Sequence, residues 1–145
     1  MGILVEIVTP ERQLLSEEVD MVVLPGSAGV LGVLRGHTPL LTTLDIGEIA
    51  LHKQNNVRYI AVSGGVAEVR PSKVTILANT AEQAEDIDVK RAEVARERAR
   101  ESVEKGGSGK FDPSVVAALR LSNLRLKVAS KRRTQHRGSP VESSS

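Results

Sequence analysis

Apolar and polar positions change their rhythm near residue 80. Before it, Ile3, Val5 and Ile7 alternate with Leu4, Glu6 and Val8 up to Thr9-Pro10, the period of two that fits a strand. Val19, Met21 and Val23 alternate likewise before Pro25-Gly26, and further short runs cover 29–34, 47–52, 57–62, 66–70 and 74–78. Turn residues punctuate them: Asn55-Asn56, Ser63-Gly64-Gly65 and Pro71-Ser72. Short strands with no helical pattern between them predict an antiparallel sandwich or flattened barrel.

After Asn79 the chain turns helical. Residues 80–104 are rich in Ala, Glu and Arg, and Ala92, Ala95, Ala99 and Val103 form a narrow stripe of mostly small residues. Lys105-Gly106-Gly107-Ser108-Gly109-Lys110 breaks the helix, and Asp112-Pro113 opens a second one with an acceptor followed by Pro at the first helical position. In that helix Ala117, Leu121, Leu124 and Val128 form the facing stripe, so the two predict an antiparallel hairpin. Ala against Leu buries few of the large side chains worth ~1.5–3 kcal/mol each, which predicts a hairpin only lightly held shut. From Lys131 on no apolar period survives, and the end reads as a disordered tail. The predicted class is therefore α+β: a β-sandwich over 1–85, a helical hairpin over 86–132 and a tail over 133–145.

Composition narrows the chemistry. The 145 residues include no Cys and no Trp, one Tyr and one Phe, which excludes a disulfide scaffold and any Cys-based metal or redox site. No apolar run is long enough to span a bilayer, and no cleaved targeting segment is visible at Met1-Gly2-Ile3-Leu4. The net charge of +2 hides a split, with −4 over 1–85 and +6 over 86–145. From Arg120 to Arg137 seven basic residues follow one another with no acidic one, a stretch that either seeks an anionic partner or stays solvated. His37, His52 and His136 show no metal-ligand spacing, and residues 26–32 lack the Gly-Lys-Ser/Thr that a phosphate loop needs. Ser63-Gly64-Gly65 lacks the nucleophile frame, so the chain is read as no enzyme in its own right and as needing no cofactor or metal.

Four strings carry a resemblance. Gly32-Val-Leu-Arg-Gly36-His37-Thr-Pro39-Leu-Leu-Thr, Ala61-Val-Ser-Gly-Gly65-Val-Ala-Glu68-Val, Val74-Thr-Ile-Leu-Ala78 and Ala84-Glu-Asp-Ile-Asp88 are similar, in order, to the epsilon subunit of the bacterial and chloroplast F-type ATP synthase. The resemblance runs from about Val5 to Ala129 and departs locally at Arg35, where the family commonly has Pro, and at Val66, where an aromatic often follows Ser-Gly-Gly. It implies a non-catalytic rotor subunit of a proton-translocating synthase. The sandwich would dock on the gamma subunit and the membrane ring of c subunits, with His37 among the docking residues. The hairpin would lie folded on the sandwich or extend along gamma, and extended it would block ATP hydrolysis. A bacterial cytoplasmic membrane face is then expected, with the thylakoid's stromal side second and any membrane contact indirect.

The resemblance also names residues. Arg120, Lys127 and Lys131 share a helix face, with Arg132 beside them, and would approach an acidic segment of the beta subunits; on their own they read equally as a solvated face. Some members bind ATP through Ile/Leu-Asp-x-x-Arg-Ala, present here from Ile87 to Ala92. That carries a regulatory ATP site onto Glu82, Asp88, Arg91, Ala92, Arg98 and Arg125, the arginines serving as forked phosphate donors. Asp88 reads equally as a helix cap. Leu121 stands where ATP-binding relatives carry a basic residue, which predicts weaker binding. The competing class is a nucleic-acid-binding adapter using residues 120–137, whose affinity would fall linearly with log salt.

Overall fold

The computed structural model describes residues 2–105 and 112–144, the side chains at 105 and from 132 onward excepted. Eight strands come first: β1 (Ile3–Val8), β2 (Gln13–Val19), β3 (Met21–Gly26), β4 (Gly29–Val33), β5 (Leu40–Lys53), β6 (Asn56–Val69), β7 (Lys73–Ala78) and β8 (Ala81–Gln83). A 3-10 turn at Ala84–Asp86 leads into α1 (Val89–Lys105) and α2 (Pro113–Ser144).

One continuous sheet, ordered β2-β1-β7-β6-β5-β3-β4 with β8 on β6, folds over itself around a single core. Ile3, Val5 and Ile7 of β1 point inward as their alternation predicts, joined by Val22, Leu24, Ile49, Leu51, Ile60, Val62, Val74 and Ile76, each at most 1% exposed. The expected antiparallel order holds in every pairing but one. β1 and β7 run parallel, Leu4 to Val8 against Lys73 to Leu77, because the chain returns to β1 only after passing through all the strands between them.

Glycines read as strand ends turn out to bend strands instead. The runs at 47–52, 57–62 and 66–70 merge into β5 and β6, which stay paired from Leu40↔Val69 to Lys53↔Asn56. Gly64 and Gly65 take φ of 107° and 150° inside β6, and a Cβ at Gly65 would lie 2.2 Å from the Leu77 carbonyl oxygen. Only glycine satisfies both constraints. Beyond this bend the N-terminal half of β6 pairs β8 and the C-terminal half pairs β7, so β5 and β6 belong to both layers. The alternation at Val19, Met21 and Val23 also shifts: Asp20 breaks it, Val19 ends β2, and Val22 and Leu24 are the buried members of β3. β2 and β8 are too polar to show an apolar pattern in the sequence.

The hairpin forms as expected but starts late, since Ala81–Gln83 first add a strand to the sheet and Ala84–Asp86 form a 3-10 turn. Ala92 and Ala99 are buried on α1, and Val128 on α2, whose half-buried Leu121 and Leu124 continue the stripe. α1 packs on α2, while α2 makes the extended contact with β5 and β6. Asp112 opens α2 with Oδ1 accepting from the Ser114 amide at 2.9 Å and the Ser114 hydroxyl at 2.7 Å. The backbone of α2 runs on to Ser144, through the residues read as a tail.

Two predictions follow from these constraints. Gly65→Ala should lower the free energy of unfolding by roughly 1–3 kcal/mol, read as an earlier urea midpoint. The cap hydrogen bonds, the Ser114 hydroxyl foremost and its amide second, hold the Asp112 carboxyl below 3.8. A depressed carboxyl supports the folded helix start above its ordinary pKa and loses that support as pH falls through the lowered value. The Ser114 amide shift should therefore titrate with a midpoint below 3.8.

Candidate functional site

Where α2 crosses the sandwich, β5 and β6 are buried on both faces. Ile49 and Ile60, paired in register, point to the core; Ala50↔Tyr59 and Glu48↔Ala61 point outward, and Ala61↔Glu82 extends the latter row onto β8. A row Glu82–Ala61–Glu48 thus runs across three strands, a small residue between two carboxylates. α2 lies over it: Val128 and Ala129 pack with Ala61, Ala84 and Ile87, while Tyr59 and Leu124 border the patch. The small side chains of Ala61 and Ala84 let the helix backbone come close.

Each acid of the row holds a base of α2. Arg125 Nε lies 2.7 Å from Glu82 Oε1, too bent for a hydrogen bond, while Nη2 donates to Oε2 at 3.1 Å. Lys131 Nζ donates to both Glu48 oxygens at 2.5 and 2.7 Å and stands 4.5 Å from the Tyr59 ring centroid. Lys127 Nζ approaches Glu48 Oε1 at 3.7 Å. Arg58 pairs with Glu17 and donates to Gln83 Oε1 at 2.8 Å.

The predicted nucleotide residues fall into two groups. Glu82 and Arg125 line a cleft of about 360 Å³, together with Arg12, Asn79, Thr80 and Leu121. Asp88, Arg91 and Ala92 sit at the start of α1, where Asp88 Oδ1 accepts from the Arg91 amide at 3.2 Å and the Asp88 carbonyl accepts from the Ala92 amide. Asp88 therefore caps α1, and Ala92 is wholly buried. The side chains of Arg91 and Arg98 are exposed and make no ion pair among the described residues. Of the predicted docking set, Lys127 and Lys131 are engaged on Glu48, Arg120 is exposed, and the Arg132 side chain lies outside the described residues. His37 follows β4 in a turn, its amide donating to the Leu34 carbonyl at 3.1 Å and its Nδ1 lying 2.7 Å from the Thr38 carbonyl oxygen.

Sequence reasoning missed Glu48, Tyr59 and Arg12. An acid inside the apolar run Gly47-Glu48-Ile49-Ala50-Leu51 is the available signal for the first, since such a position needs a cation when a helix covers it. The sandwich also exposes apolar side chains: Leu41, Val66 and Leu77 on the outer face of β5–β6–β7, Val30 at the start of β4, and Leu34 just before the His37 turn. Among the described residues there is no cluster of three or more potential metal ligands, and no helix long and apolar enough to cross a membrane.

Residues 3–84 match the family described as ATP synthase, Delta/Epsilon chain, beta-sandwich domain. The ATP synthase epsilon chain of Herpetosiphon aurantiacus is 47% identical over 135 residues, covering 93% of this chain and 99% of its own. The chain belongs to the ATP synthase epsilon-chain family. The epsilon chain of Pelotomaculum thermopropionicum is 52% identical over 100 residues, covering 69% of this chain and 75% of its own. A chain of the Euglena gracilis mitochondrial ATP synthase OSCP/F1/c-ring structure shares the fold, with TM-score 0.65 and 24% identity over 92% of this chain and 80% of that one. As an epsilon chain the protein is a non-catalytic stalk subunit of the ATP synthase complex. The nucleic-acid adapter finds no support in these relatives.

Proposed function

We propose that this epsilon chain is a regulated element of the central stalk: its sandwich docks on gamma and the c-ring, and its hairpin leaves the sandwich to restrain ATP hydrolysis. The observation that carries this reading is the seat of α2. Its buried contact with the sandwich is a small patch of Ala61, Ala84, Ile87, Val128 and Ala129, bordered by half-buried Tyr59, Val89 and Leu124, so few larger side chains add the ~1.5–3 kcal/mol of full burial. A contact of a few kcal/mol is within reach of a competing partner. The opened helix would present Arg120, Lys127 and Lys131 to an acidic segment of the beta subunits.

The exposed apolar face at Leu41, Val66 and Leu77 suits a permanent contact with gamma, and the turn carrying His37, entered from the exposed Leu34, suits the c-ring. Membrane association is then indirect, at the cytoplasmic face of a bacterial membrane, and rotation serves proton-driven synthesis.

ATP is the proposed ligand of the folded hairpin. Arg125 is balanced by Glu82 at the cleft. Phosphate oxygens could replace that carboxylate and free it to accept from the ribose hydroxyls or the adenine amine, with Arg91 and Arg98 as further donors from α1. Leu121, which lines the cleft, supplies no charge. One missing charged contact weakens binding about 10- to 150-fold relative to a site with the full set.

Titration calorimetry with ATP should give saturable binding, with Arg91→Ala and Arg125→Ala each weakening it at least roughly tenfold. Heat flow indistinguishable from dilution at millimolar ATP would remove the nucleotide from the proposal. In the assembled synthase, deleting residues 86–145 should leave gamma binding intact and raise ATP hydrolysis roughly 5-fold or more, the usual span of a regulatory coupling. Equal hydrolysis rates would show that the hairpin does not inhibit.

A further inference from the structure

Glu48 lies 83 residues from Lys131 in sequence, yet its carboxylate takes both hydrogen bonds from that ammonium. The Glu48 side chain is 22% exposed and that of Lys131 30%, against 63% for Lys127 at the longer distance. The pair is therefore largely shielded by α2 itself, and the Tyr59 ring covers one side of the ammonium. An ordinary surface pair would be replaced by water at little cost. Here, lifting α2 breaks two short charged hydrogen bonds and a cation–π contact together.

The identity of the captured cations gives the pair its meaning. Lys127 and Lys131 are one helical turn apart and form the face that the proposed function assigns to an acidic partner. An ammonium held on Glu48 and covered by Tyr59 has little left to offer a second carboxylate. We propose that Glu48 is an internal surrogate for that partner: it occupies the docking lysines while the hairpin is closed, so that an acidic segment of another subunit gains access only by displacing it. The latch makes closure and docking mutually exclusive through one pair of side chains. It rests on the mobile-hairpin reading above and adds the residue that competes.

Arg125 on Glu82 braces the other end of the same row but belongs to the nucleotide cleft. The two ends therefore answer to different ligands. An anionic nucleotide addresses Arg125, whereas an acidic protein segment addresses Lys127 and Lys131.

The test is amide hydrogen exchange on the full chain. A helix as polar as α2 frays once it leaves the sandwich, so its amide exchange follows the open population even when that population is small. Glu48→Gln should speed exchange of the α2 amides around 124–129 roughly 5-fold, while amides of β1 and β7 stay as slow as before. Lys131→Ala should do the same, and the double variant should add little to either, the mark of a shared interaction. Unchanged α2 exchange in Glu48→Gln, or fully additive effects in the double variant, would overturn the latch. Faster exchange spread evenly through the sandwich would overturn it as well, since Glu48 would then support the sheet. The result is separable from the docking reading, because exchange is measured without partners and hydrolysis by the hairpin deletion reports on docking alone.

Discussion

The rest of the molecule depends on the stretch where β5 and β6 are covered on both faces. Ile49, Leu51, Ile60 and Val62 fill the sandwich, while Ala50 and Ala61, one residue out of phase, keep the opposite face low enough for a helix. Large residues inward and small ones outward let two strands serve as core and as seat at once. A large side chain at Ala61 would lift α2 away, and a small one at Ile60 would open a cavity in the core.

That seat explains the unequal strength of the two halves. The sandwich buries one cluster drawn from seven of its eight strands, and β5 and β6 tie both layers together through the bend at Gly64 and Gly65. The hairpin relies on a short patch of mostly small residues and on ion pairs from α2 to Glu48 and Glu82. Apolar contact holds the helix in place regardless of what surrounds it. Ion pairs hold it only as long as nothing else offers the same charge. The hairpin has the second kind of bond at both ends of a single cross-strand row.

The two-part organisation was legible in the chain, because periods of two and of about 3.5 residues are local properties that burial on one face imposes. The start of the second helix was legible as well, with Asp112 capping as read, and Asp88 takes the capping role that stood beside its ligand role. Less legible were β2 and β8, whose polar residues lie at a sheet margin, and the parallel pairing of β1 with β7. Ser63-Gly64-Gly65 looked like an ending and is a bend, since a glycine that permits a turn also permits a strand to pass close to a neighbouring carbonyl.

The candidate site divides along the same line. The chain's own order determined that a basic second helix follows an acidic sandwich and that a small-residue stripe joins two helices. It also determined the family, through strings that do not depend on any contact. Only the tertiary structure decided which acids face which bases. Glu82 and Glu48 become neighbours of one alanine through strand register, and Arg125, Lys127 and Lys131 reach them through the course of α2 across that row. A charge pattern in sequence states what a segment can attract. Its partner is set by register and packing between residues far apart in the chain, which no local periodicity encodes.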